Sequence, residues 1–274
     1  MGTRGANRRK FLSNNQFCCF CGGFVRATTI EHAPPLVFFR DKQRPAGLEF
    51  PACKRCNNGS SQLDQVASYF AITSGLVEGN DEYASKLLQG ISNNTPEVLR
   101  HLSHSRDEVI SVRGEDRDMV VVSLNPKLAR LWINPWIAKQ AFALWYLHAG
   151  YPIDGEGFVS VKWLTNHALM ERGLPENLFE IAQFEGELAQ GKKRVSDQFF
   201  YRYQISAELG VGVFAIGGHD GSLFFAAVYS KKHHQLSAIR LMKQGDVFRT
   251  NKGKGIHAVP AHAMAKLKRK GNGK

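Results

Sequence analysis

Four of the five cysteines form two CxxC knuckles, Cys18-Cys19-Phe20-Cys21 and Cys53-Lys54-Arg55-Cys56. Two thiol pairs in one short segment make the ligand set of a tetrahedral zinc site. No cysteine follows Cys56. A disulfide framework would spread its cysteines over the fold, so the pattern favours metal ligation in a reducing compartment. A segment of about 50 residues is too small to bury a sufficient core, and a metal staple supplies what packing cannot. Cys19 is the odd thiol: either a small buried hydrophobe or an alternative ligand that shifts the first knuckle by one residue.

The chain has 274 residues, enough for two domains. It contains no run of 18 apolar residues, which argues against a membrane span. Its basic N-terminus has no apolar stretch behind it, so it is not a secretory signal and a cytoplasmic location is expected. The net charge of +12 fits a polyanionic partner. Arg4, Arg8, Arg9 and Lys10 lead into the cysteine segment, and seven further cations from Lys252 to Lys274 end the chain among glycines. The bland reading of both clusters is solvated tails that aid solubility.

The fold class expected is α+β, in four parts: a basic arm over 1–12, a zinc-stapled module over 13–75, an α+β domain over 76–250, and a flexible basic tail over 251–274. Phe24 to His32 is rich in β-branched and aromatic residues and predicts a short strand, stopped by Pro34-Pro35. Leu36 to Pro51 reads as a loop. A helix is expected from Lys54–Asn58 to Thr73, followed by an amphipathic helix with Tyr83, Leu87, Leu88 and Ile91 on one face. Val109–Val112 and Met119–Ser123 predict a hairpin. The stretch from Pro126 to His148 carries three of the four tryptophans and predicts a core helix ended by Gly150. Four strands are expected at Phe199–Ile205, Val211–Ile216, Leu223–Val228 and Leu236–Met242, forming a C-terminal antiparallel sheet.

Inside the cysteine segment lie Glu31-His32, and Asn57 follows the second knuckle directly. Taken singly these are bland: a lone His is more often packed or at the surface, and Asn57 suits a helix cap. Together they suggest a second metal centre that does chemistry. The segment from Cys18 to Asp64 resembles the HNH (His-Me finger, ββα-metal) endonucleases, closest to the subgroup with a two-CxxC structural zinc. That resemblance implies a β-hairpin followed by a helix, wrapped around a catalytic metal. Glu31-His32 stands where the family usually has Asp-His at the end of the first strand, and Asn57 where it has a helix-borne His or Asn ligand. Zinc would fall to Cys18, Cys21, Cys53 and Cys56.

Phosphodiester hydrolysis needs an activated water, charge neutralisation on the phosphorane and a stabilised leaving alkoxide. His32 has the one side chain here with an ordinary pKa near 7, which suits a general base. Glu31 and Asn57 offer oxygen ligands for Mg²⁺ or Mn²⁺. Arg26, Arg40, Lys42, Arg44, Lys54 and Arg55 are candidate phosphate contacts. The implied substrate is DNA, with RNA an alternative because such a site hardly reads the sugar; two-strand cutting would call for a homodimer. Two positions depart from the pattern. Glu31 is one methylene longer than Asp, and Gly47 occupies the place of the family's middle Asn, so Asn58 or a backbone carbonyl would have to orient His32. The rival expectation is a non-catalytic zinc-knuckle regulator that binds nucleic acid or protein.

Overall fold

The computed structural model describes residues 3–74, 81–102, 109–113, 118–122, 125–165, 183–184, 188–190, 193–219, 221–230, 246–251 and 255–259. It is a mixed α/β structure with a C-terminal antiparallel sheet and an N-terminal cluster of cysteines. Within the basic N-terminal segment Thr3–Asn14 forms a helix, α1. The first knuckle follows as a 3-10 turn over Cys19–Cys21, closed by Gly22 at φ 68°. Gly22 is pressed against the protein. A Cβ there would lie 3.0 Å from Thr250 Oγ1 and 3.1 Å from the Ile153 carbonyl, so the knuckle is seated on residues far along the chain.

Strand β1 is Thr29–His32, shorter than the sequence suggests, because Phe17 and Arg26 form only an isolated bridge before it. It pairs antiparallel with β2, Glu49–Ala52, where the sequence suggests loop. Pro51 obscures this strand by its missing N–H, which a strand at the edge of a two-stranded sheet tolerates. The expected single helix is two: α2, Lys54–Asn58, and α3, Ser61–Ser74. They part at Gly59-Ser60, where the Gly59 N–H bonds the Arg55 carbonyl and the Asp64 N–H starts a new turn from the Ser60 carbonyl.

Next come α4, Asp81–Asn94, with Leu87 and Ile91 buried as the periodicity predicts, and α5, Leu99–Leu102. The predicted hairpin is present as β3, Val109–Arg113, and β4, Asp118–Val122. Its turn lies outside the described residues. The tryptophan-rich stretch opens with a short helix α6, Pro126–Leu128, widens into a π turn over Ala129–Ile133, and continues as α7, Asn134–Ala149. Gly150 at φ 77° ends it, as predicted from a C-cap glycine.

The seven-stranded sheet runs in the order β13-β12-β5-β11-β10-β9-β6, with every pairing antiparallel. Its members are β5 (Phe158–Leu164), β6 (Gln183–Phe184), β9 (Phe199–Ser206), β10 (Val211–Gly218), β11 (Ser222–Tyr229), β12 (Asp246–Asn251) and β13 (Gly255–Ala258). A two-residue pair, β7 (Ala189–Gln190) and β8 (Lys193–Arg194), precedes β9. The predicted strands at 199, 211 and 223 are β9, β10 and β11; the one at Leu236–Met242 lies outside the described residues. Strand β13 falls inside the segment 251–274 that the sequence suggests is a flexible tail, and β12 ends at the first residue of that segment. Among the described residues no helix is long and apolar enough to cross a membrane.

Helix α7 is apolar on all sides because it is enclosed on all sides. It packs on the sheet through β5, β9, β11, β12 and β13, and on the opposite side meets α3 and the first knuckle. Trp136, Phe142 and Trp145 are fully buried, as a core helix requires. Phe38, from the loop after β1, slots in beside Trp136 with its ring parallel at 5.3 Å and meets Phe199 edge-on at 5.9 Å. One buried cluster thus extends without a break from Cys18 through Phe38 and Trp136 to Phe248.

His219 fastens the β10–β11 turn to that loop. Its buried Nε2 lies 2.7 Å from the Phe38 carbonyl, so Nε2 carries the proton, and Nδ1 has no partner. Burial pulls its pKa down to about 4. The unfolded chain binds this proton from about pH 6.5 downward, whereas the folded state refuses it until about 4. Stability from His219 is therefore complete above that window and lost as pH falls through it. Denaturant titrations from pH 7 to 4 should show this loss, and His219→Asn, which keeps a donor and tolerates the positive φ, should flatten the slope relative to wild type.

Candidate metal centre and the buried acid site

The clamp is the best-defined site. The Sγ atoms of Cys18, Cys21, Cys53 and Cys56 all lie within 4.8 Å of one another. Cys21 Sγ is 3.3 Å from Cys56 Sγ and 3.7 Å from Cys53 Sγ. These are contacts between free thiols, not disulfides. Sulfurs placed about 2.3 Å from a tetrahedral zinc stand roughly 3.8 Å apart, so the set fits a structural metal ion such as zinc. Hydrogen bonds from Cys21 and Cys56 lower the Cys18 pKa to about 3, while the shared bond pushes Cys21 up to about 12. A dication would replace those shared protons. Cys19 is fully buried outside the cluster, and burial raises its pKa; of its two sequence readings, the small hydrophobe is the one the structure has.

Secondary structure explains how the knuckles meet. The first is a turn at the foot of the Phe17–Arg26 bridge; the second straddles the step from β2 into α2. Pairing of β1 with β2 brings that step back beside the first turn. From above, β13 closes the cluster: Gly255 sits at φ 75°, and a Cβ on it would lie 3.2 Å from Cys56 Sγ.

Asn57 stands in the last turn of α2 and is tied to β1. Its Nδ2 donates to Thr29 Oγ1 at 3.0 Å and to the Ile30 carbonyl at 3.1 Å, and Oδ1 takes no part in either bond. Glu31 follows Ile30 but turns inward and is only 6% exposed. Its Oε1 accepts the His32 N–H at 2.9 Å and lies 3.3 Å from Lys139 Nζ; its Oε2 is buried without a partner. Lys139 Nζ also donates to Asp64 Oδ1 and Oδ2 at 2.9 and 2.8 Å and to Ser60 Oγ at 2.9 Å. Burial raises the pKa of both carboxyls, and Lys139 opposes the rise.

His32 is half-buried. Burial, then Arg44, then Lys139 lower its pKa to about 4, so the imidazole is neutral at pH 7. Arg44 is the cation beside it, itself half-buried. Neither Asn58 nor a carbonyl among the described residues hydrogen-bonds the ring, so the orienting partner expected to replace the Asn missing at Gly47 is not supplied by them.

Among the candidate phosphate contacts, Arg26, Lys42, Lys54 and Arg55 are exposed. Arg40 is not open in the same way. Its Nη2 pairs with Asp197 at 2.9 Å and its N–H bonds Gln198 Oε1, so it braces the loop against the start of β9. A cavity of about 250 Å³ opens between α2, α3 and α7, with Phe20, Arg55, Ser60, Leu63, Lys139 and Ile256 among its walls.

Lys139 is the residue that sequence reasoning missed. The signal was present: it is the one charge between Asn134 and Leu147, in a helix apolar all round. Such a charge requires a buried counter-ion. Its partners are remote in sequence, which hid them.

Comparison of the chain with protein-family models, curated proteins and solved structures finds no match.

Two outcomes are expected. Purified protein should carry one zinc per chain by elemental analysis; Cys53→Ser should lose it, whereas Cys19→Ala should keep it. Lys139→Met, which strands two buried carboxylates, should cost about 3–5 kcal/mol in urea unfolding. Replacing Glu31, Asp64 and Lys139 together by Leu, Leu and Met should recover most of that loss.

Proposed function

We propose that this chain is a zinc-stapled endonuclease of the HNH type that hydrolyses DNA phosphodiester bonds with His32 as general base. The observation that carries the reading is the local architecture: an antiparallel β1–β2 pair, then α2, with the cysteine cluster joining them and Asn57 bonded to the residue before Glu31. A strand pair followed by a helix is part of what the HNH resemblance implies, and this supports the reading.

The residues suit a hard cation in two respects. Glu31 Oε2 is buried and unpartnered. Asp64 binds Lys139 through both its oxygens and takes most of that ammonium's charge, so the Glu31 carboxylate retains a surplus for a further cation. Glu31 Oε2 and Asn57 Oδ1 would hold Mg²⁺ or Mn²⁺, which when bound supplies Lewis-acid polarisation of the phosphate and of the leaving oxygen. The chain's own groups do the rest. The imidazole of His32, kept neutral, accepts the proton of the attacking water. Arg44, held beside His32, offsets charge that builds on the phosphoryl oxygens. Lys139 and Asp64 fix the carboxylate of Glu31.

One observation favours the second reading, a non-catalytic zinc-knuckle binder of nucleic acid or protein. The Lys139 ammonium already lies 3.3 Å from Glu31, so a cation attends that acid without any metal.

Incubating the protein with supercoiled plasmid in Mg²⁺, in Mn²⁺ and in EDTA separates the two, with an RNA of similar length as a parallel substrate. Cutting in either metal and none in EDTA is expected. His32→Ala should lower the rate by about 10²–10⁴-fold while leaving the zinc content and melting temperature unchanged. Plasmid retarded but uncut in all three would assign the binder.

A further inference from the structure

Charge is distributed unevenly along this chain. Ten lysines and arginines stand before Asp64, against three acids, Glu31, Asp41 and Glu49. Glu31 is buried against Lys139, and Glu49 is half-buried and accepts the Gly47 N–H. More than half of the net +12 therefore resides in the first quarter of the sequence, with little acid to offset it.

Helix α1 gives this charge a shape. Its 12 residues contain no acid, and Arg8, Arg9 and Lys10 are exposed on it. The helix is fixed to the body at several points. Arg8 Nη2 donates to the Thr28 carbonyl at 2.9 Å, Phe11 and Leu12 are half-buried, and Asn15, just past the helix, accepts from Tyr146 Oη at 2.9 Å. A solvated tail would have no such anchors. Arg26, also exposed, flanks the first knuckle on the segment that leads into β1.

Position follows from strand geometry. Thr28, where Arg8 is anchored, and His32 are four residues apart along β1, about 13 Å at 3.3 Å per residue. That is about four base pairs along a duplex at 3.4 Å each. Consecutive residues of an α-helix are turned by about 100°, so Arg8, Arg9 and Lys10 fan over roughly 200° of a rigid helix about 18 Å long. They act as an electrostatic surface, which suits the evenly charged backbone of a duplex. A single strand would call for a concave groove lined with rings.

We propose that α1, with Arg26, is a duplex-DNA docking surface that grips phosphates without reading bases and holds the strand across the end of β1 at His32. The placement over His32 rests on the nuclease reading; the docking does not. Each phosphate neutralised releases counterions, so the surface has a measurable salt signature.

The test is fluorescence anisotropy with a mixed-sequence 24-base-pair duplex and zinc-loaded protein in chelator-free buffer without Mg²⁺ or Mn²⁺, over a series of KCl concentrations. Replacing Arg8, Arg9 and Lys10 by Gln should weaken binding at least tenfold near 0.1 M salt and reduce the log–log salt slope by about two to three. A control with Lys127→Gln, Arg130→Gln and Lys162→Gln removes the same charge from exposed positions elsewhere and should shift the slope by less than one. Equal losses in the two triple variants would overturn the proposal, as would an α1 variant that binds like wild type. So would tighter wild-type binding to a 24-nucleotide single strand than to the duplex. Because cutting needs Mg²⁺ or Mn²⁺, docking in their absence without any plasmid cleavage in their presence would sink the nuclease reading and leave this surface standing.

Discussion

A single ammonium ties together the parts of this protein that matter most for its chemistry. Lys139 projects from the central helix α7 and meets Ser60 and Asp64 at the start of α3 and Glu31 on β1. In a low-dielectric interior such a contact is expensive unless every group is paired, and all three ammonium protons have acceptors. The network therefore links three elements, α7, α3 and β1, through one charge. Helix α7 in turn cannot shift, because the sheet lies on its other side.

The same constraint sets the chemical state of the candidate site. Glu31 is drawn inward, away from solvent, with one oxygen engaged and one without a partner. His32, the next residue, projects into a setting where burial and Arg44 disfavour its charged form. Adjacent residues on one strand thus take opposite roles: an acid whose ionisation depends on a buried lysine, and an imidazole kept neutral by its neighbours.

What the sequence revealed was local. The cysteine spacing identified the clamp because ligand geometry is encoded within each CxxC. The strands β9, β10 and β11 were legible from their apolar and β-branched runs, and α7 from its tryptophans and Gly150. What escaped depended on distant partners. Strand β2 was hidden by Pro51, whose strand placement makes sense only with β1 beside it. Arg40 resembled a free phosphate contact until Asp197 came alongside. The division of one helix into α2 and α3 turned on Gly59-Ser60, where Ser60 is recruited by Lys139. The Phe38 ring, in a stretch that reads as loop, gains its meaning from Trp136.

Strand β13 lies beside the second knuckle, so close that a Cβ on Gly255 would come within 3.2 Å of Cys56 Sγ. Synthesis delivers that strand long after the four thiols have left the ribosome. A nascent chain can therefore load its ion while the sulfurs are still open to the surrounding solution, and the late strand then lowers a roof over a coordination shell already formed. In the folded protein Cys56 is the member of the cluster that stays partly open, on the wall of the cavity, so exchange of such an ion would begin there.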